Sequence, residues 1–71
     1  MRDMSEAEFD AALAQYGDTV YRLAFAYTRN RADADDVFQE VFLRYFRRAP
    51  AFETEEHRKA WLLRVTINRA K

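Results

Sequence analysis

The sequence predicts an all-α fold, a compact bundle of three to four helices. Three observations carry that prediction. Apolar residues recur at spacings of three and four over long stretches, the period of one helix face. No segment alternates with period two, and one Gly and one Pro leave little room for hairpins. Helix-start and helix-stop chemistry punctuates the periodic stretches.

The first helix should begin at Ser5, because Ser5 and Glu8 form the S-x-x-E capping box. Phe9, Leu13, Tyr16, Val20, Leu23 and Tyr27 then make one apolar stripe. Gly17 lies within it and costs ~1 kcal/mol in a helix interior. The expectation is one long helix, or two nearly collinear ones broken near Gly17-Asp18. Asn30 can cap the next helix, over residues 32–48, with Asp33, Asp35 and Asp36 near its positive end. Arg44, Arg47 and Arg48 crowd its negative end, and Pro50 stops it. Residues 49–56 read as a loop that leads into the last helix, with Thr54 and His57 bracketing a cap. That helix runs from about residue 55 to the end of the chain. Short connections favour antiparallel packing. The expected core is Phe9, Leu13, Leu23, Val37, Phe38, Val41 and Val65.

At 71 residues the chain is one domain at most, and a chain this short is only marginally stable alone. Apolar residues at 49% still suffice for a core. With no cysteine and a single histidine, His57, disulfides and the usual zinc sites are excluded. No run of ~18 apolar residues and no signal-peptide pattern is present, so a soluble cytoplasmic chain without membrane insertion is expected. No nucleophile, base and orienting group come together, and Asp33, Asp35 and Asp36 do not gather ligands around one point. The expectation is therefore a non-enzyme with no cofactor and no metal.

The formal net charge is zero, but residues 1–43 hold four basic and nine acidic residues, and residues 44–71 hold eight basic and three acidic. The split fits two partners of opposite character, the basic half facing nucleic acid. Two solvated faces that neutralise each other fit it as well.

Two patterns could carry function. On the second helix, Ala34, Val37, Phe38, Val41 and Tyr45 share one side. The opposite side shows Asp36, Gln39, Glu40 and Leu43, flanked by Phe42 and Phe46. Apolar groups rimmed by acids and an amide suit a protein-binding patch. The alternative is that Phe42 and Phe46 pack under neighbouring helices and Leu43 is an isolated surface leucine. On the last helix, Trp61, Arg64, Asn68 and Lys71 fall on one stripe, and Ala60, Leu63, Ile67 and Ala70 form another that could be the core side. Cations, an amide and an aromatic suit phosphates, a base edge and an unpaired base. Arg58, Lys59 and Arg69 add charge beside the stripe, and Phe52 offers a second aromatic nearby. For Trp61, a core position beside Val65 fits better than the stripe.

The run from Arg31 to Phe42, with Asp36-Val37-Phe38-Gln39-Glu40-Val41-Phe42 at its centre, resembles the region 2.2 signature of extracytoplasmic-function sigma factors. The run from Ala60 to Lys71, with Trp61-Leu62-Leu63-Arg64-Val65-Thr66-Ile67-Asn68, resembles their regions 2.3 and 2.4. The likeness covers residues 9–71 and implies a sigma region 2-like fold over the whole chain, 1–71. It implies that Asp36, Gln39, Glu40, Phe42 and Phe46, with Leu43 on the same face, dock on the clamp helices of the beta-prime subunit of core RNA polymerase. Arg64, Asn68 and Arg69 would read and open the minus-ten promoter element. The loop 50–57 lies where the family captures an extruded base of the non-template strand. The resemblance also implies an anti-sigma factor as partner. Housekeeping sigma factors hold the melted strand with several aromatics, and here only Phe52 and Trp61 are available. The second sigma domain, which reads the minus-thirty-five element, is expected to be absent from this chain. The rival reading is a helical protein-interaction bundle without DNA binding; it would not need the polar stripe Arg64-Asn68-Lys71.

Overall fold

Each helix starts on the residue the sequence offers as its cap. In the computed structural model, which describes residues 4–71, α1 spans Glu6–Thr28, α2 Arg31–Arg48 and α3 Glu55–Ala70. Ser5 Oγ accepts from the Glu8 amide, Asn30 Oδ1 from the Asp33 amide and Thr54 Oγ1 from the His57 amide, each at 3.0 Å. Such a cap satisfies an amide that has no partner inside its helix, and each contributes ~1 kcal/mol.

Of the two arrangements open to the first stripe, α1 adopts the continuous one. Gly17 is buried in it, with the Phe38 ring edge on the side where a Cβ would stand. Buried Tyr16 and Val20 flank the glycine and hold the helix through it. α1 ends at Arg29, whose φ of 54° is left-handed and whose amide donates to the Phe25 carbonyl at 2.7 Å. The turn is only Arg29 and Asn30, so α2 folds straight back on α1. α2 ends at Ala49, extended as the residue before Pro50 must be.

All three helices pack against one another. Val20, Ala24, Ala34, Val41, Tyr45 and Leu62 are fully buried. Phe9, Leu13, Phe38 and Val65, expected in the core, pack against it while partly exposed. Two expectations are corrected. Leu23 is only half-buried and Tyr27 is exposed, while Ala24 between them is fully buried. α3 turns Leu62 and Thr66 inward, whereas Ala60 is exposed and Leu63, Ile67 and Ala70 are only half-buried. Thr66 can be buried because its Oγ1 donates to the Leu62 carbonyl at 2.7 Å. No helix among the described residues is long and apolar enough to cross a membrane.

Candidate functional site

The outer face of α2 presents Asp36, Gln39, Glu40, Leu43 and Phe46 to solvent. Leu43 is 49% and Phe46 48% exposed, two large apolar side chains three residues apart on one helix face; Phe25 and Tyr27 of α1 are exposed to a similar degree. Phe42 corrects the sequence reading. It is buried beneath this face, 4.9 Å from the Phe38 ring and edge-on to Phe9 at 6.2 Å. One residue is 100° of helix rotation, which separates buried Phe42 from exposed Leu43. An open groove of about 760 Å³ runs between α1 and α2, with Phe9, Phe38 and Phe42 in its lining, Leu43 and Phe46 beside them, and Glu6 and Asp10 adding negative charge.

Arg64 and Asn68 of α3 and Lys71, the residue that caps its C-terminal end, are exposed on one stripe, and Lys59 is exposed earlier on the helix. None of the four is in an ion pair among the described residues. Arg69 is different: it reaches across to α2 and pairs with Glu40, both side chains about half exposed. The two candidate faces therefore meet at one ion pair. Trp61 packs inward, 6.2 Å from the Tyr45 ring and 5.8 Å from Phe52, in keeping with its core reading.

The connection between α2 and α3 lies against the bundle through side chains. Phe52 stacks on Tyr45 at 6.3 Å and meets the exposed His57 edge-on at 5.2 Å. Arg58 is not displayed like its basic neighbours. Its guanidinium donates to the Tyr45 hydroxyl and to Glu55 Oε1, and it lies 4.9 Å from the Phe52 ring centroid. Burial pulls the Arg58 pKa down, but Tyr45 and Glu55 outweigh that and raise it. Tyr16 Oη donates to Glu55 Oε2 at 2.6 Å. That hydrogen bond is the main cause of a raised Tyr16 pKa and a lowered Glu55 pKa.

Sequence reasoning missed Tyr16, Tyr45 and Glu55 as a polar network, since their partners lie on other helices. It also passed over Arg44, Arg47 and Arg48 as dipole-matching charges. With Arg69 they line one open pocket of about 210 Å³. Their spacing on one face of α2 was the available signal. Among the described residues no group of acids and histidine is arranged to hold a metal ion.

This is the layout of two exposed faces joined at one end, and comparison with known proteins says what kind of chain carries it. Residues 12–71 match the sigma-70 region 2 family. The chain belongs to that family. Within it, the likeness is to the extracytoplasmic-function group: the chain is 38% identical over 60 residues to the "ECF RNA polymerase sigma factor SigE" of Mycolicibacterium smegmatis. The match takes in 84% of this chain and 23% of that relative, so the chain spans under a quarter of the relative's length. No solved structure gives a significant match. The sigma region 2 match covers most of α1 and all of α2 and α3, and so includes both exposed faces.

Proposed function

We propose that this sigma region 2 domain serves transcription initiation by binding alone, on two surfaces. The outer face of α2, through Asp36, Gln39, Glu40, Leu43 and Phe46, docks on the beta-prime clamp helices of core RNA polymerase in the cytoplasm. The stripe Arg64-Asn68-Lys71, with Lys59, Arg69 and the loop 50–57, engages the non-template strand of the minus-ten element. There the cations meet phosphates, and Asn68 with the loop backbone selects an unpaired base. Phe42 supports the docking face from below, and Trp61 and Phe52 support the loop. An anti-sigma factor would cover one or both faces.

The observation that carries this reading is the exposure of Leu43 and Phe46 beside Gln39 and Glu40 in a chain of this family. Holding two large apolar groups half in water is unfavourable, and burying the exposed half of each against a partner is worth ~1 kcal/mol. The apolar groove also suits the rival reading of a pure interaction bundle, but such a bundle gives no role to three exposed, unpaired polar groups on α3.

The test is binding of the chain to the isolated beta-prime clamp coiled coil. Gln39→Ala with Glu40→Ala should weaken it by ~1–3 kcal/mol, a loss of roughly 5- to 150-fold, with helix content unchanged. Unchanged affinity would remove the docking assignment.

A further inference from the structure

The α2–α3 connection is not held by its own backbone. Ala49 closes α2 on Tyr45 and Arg58 opens α3 on Thr54, but residues 50–53 make no backbone–backbone hydrogen bond among the described residues. Their hold on the bundle is through side chains, and Arg58 stands at its centre. Its Nε donates to Glu55 Oε1 at 3.1 Å, its Nη1 donates to the Tyr45 hydroxyl, and its plane lies beside the Phe52 ring. Glu8 of α1 lies 4.0 Å away, and Tyr16 of α1 holds Glu55 from the other side. All three helices and the loop thus converge on one guanidinium, whose side chain is only 19% exposed.

We propose that Arg58 is a positioning residue for promoter recognition: it clamps Phe52 and the 50–53 backbone in one conformation and does not itself touch DNA. This replaces the sequence-based expectation that Arg58 is a DNA contact, and it rests on the minus-ten reading above. An extruded base is held by a shaped pocket, and a pocket made of unsupported backbone must be ordered before it can select. Arg58 provides that order in the free domain. A phosphate approaching the guanidinium would compete with Glu55 and the Tyr45 hydroxyl for it, at a side chain only 19% exposed. Lys59, Arg64 and Lys71 offer their charges with no such partner to displace among the described residues.

The geometry requires arginine. The forked, planar group makes two directed hydrogen bonds while its face rests on an aromatic ring, and an ammonium cannot do all three. A lysine would keep the charge and lose the clamp.

The experiment uses the chain with Arg58→Lys, Arg58→Ala and Tyr45→Phe. Tyr45→Phe keeps the buried ring and so preserves the fold if Arg58→Ala does not. Backbone relaxation of residues 50–54 is measured without DNA. Binding of a single-stranded minus-ten oligonucleotide and a scrambled one is measured across a salt series. Arg58→Lys and Tyr45→Phe should both loosen the loop and cut the preference for the minus-ten strand on the order of tenfold. The salt dependence should stay as in the parent chain, because no phosphate contact has gone. A fall in the salt slope of ~0.7 in Arg58→Ala would identify a direct phosphate contact and overturn the proposal. So would a loop that stays rigid in Arg58→Lys and Tyr45→Phe, or recognition fully kept by lysine. If the parent chain itself shows no preference between the strands, the minus-ten reading fails instead, and the relaxation of the loop alone decides the clamp.

Discussion

Replacing Leu62 by alanine, beside the matched replacement of Leu63, tests the packing of α3. Leu62 is completely buried in the core between the helices, whereas Leu63 is half-buried. Leu→Ala at a fully buried site costs ~2–5 kcal/mol, part lost transfer energy and part the cavity left behind. Leu63 is only partly buried, so less transfer energy and less cavity are at stake, ~1–2 kcal/mol. The whole domain should hold only ~4–11 kcal/mol at 71 residues. Each kcal/mol moves Tm by ~4–8 °C at this size. Leu62→Ala should therefore lower Tm by roughly 8–40 °C and Leu63→Ala by roughly 4–16 °C. Thermal melts followed by far-UV circular dichroism read both. A Leu63→Ala loss equal to or above that of Leu62→Ala would mean that α3 is rotated by one residue from the packing described.

Gly17→Ala should stabilise the domain by ~0.5–1 kcal/mol and raise Tm by several degrees. The added Cβ would meet the Phe38 ring at 3.7 Å, an ordinary contact, in a helix that no longer has to order a glycine. Stability should fall at both ends of the pH range through the Tyr16–Glu55 hydrogen bond. Glu55, whose pKa is lowered by folding, contributes stability that is present above the ordinary carboxylate pKa and lost as pH falls through its folded value. Tyr16, whose pKa is raised, contributes stability that is present below the ordinary phenol pKa and lost as pH rises through its folded value. Tyr16→Phe should flatten both limbs in a Tm-against-pH series, and two unchanged limbs would assign them to other groups. Asn68→Ala should abolish sequence-dependent NMR shifts on titration with a minus-ten single strand while leaving Tm unchanged, since its side chain is exposed. Retained sequence dependence would move base selection elsewhere.

The helices and their ends were legible because capping is local: Ser5, Asn30 and Thr54 each act on an amide three residues away. The rotation of α3 was not. Ala60, Trp61, Leu62, Leu63, Val65 and Ile67 are apolar nearly all round the helix, so periodicity offers several inward faces. The decisive inward residue beside Leu62 is a threonine whose hydroxyl is satisfied by its own helix. On α2 the sequence left open whether Phe42 and Phe46 are buried; Phe46 is half exposed and Phe42 buried, because their placement depends on where Phe9 of α1 enters. Arg58 escaped for the same reason. Its partners Tyr45 and Glu8 and its neighbour Phe52 are brought together only by folding, and in the sequence it looks like any cation in the first turns of a basic helix.

The ion pair between Glu40 and Arg69 makes the two faces thermodynamically linked. A partner that engages the Glu40 carboxylate strips Arg69 of its counterion, and an anion that takes Arg69 returns Glu40 to solvent. By reciprocity each event favours the other to the same degree. The size of the effect has a ceiling. A pair about half exposed is worth ~0–1 kcal/mol, so one face can change affinity at the other by no more than about fivefold through this route. The same linkage decides how variants are compared. Glu40→Ala alters charge on both faces at once, whereas Gln39, one residue away and in no ion pair, reports on the α2 face alone.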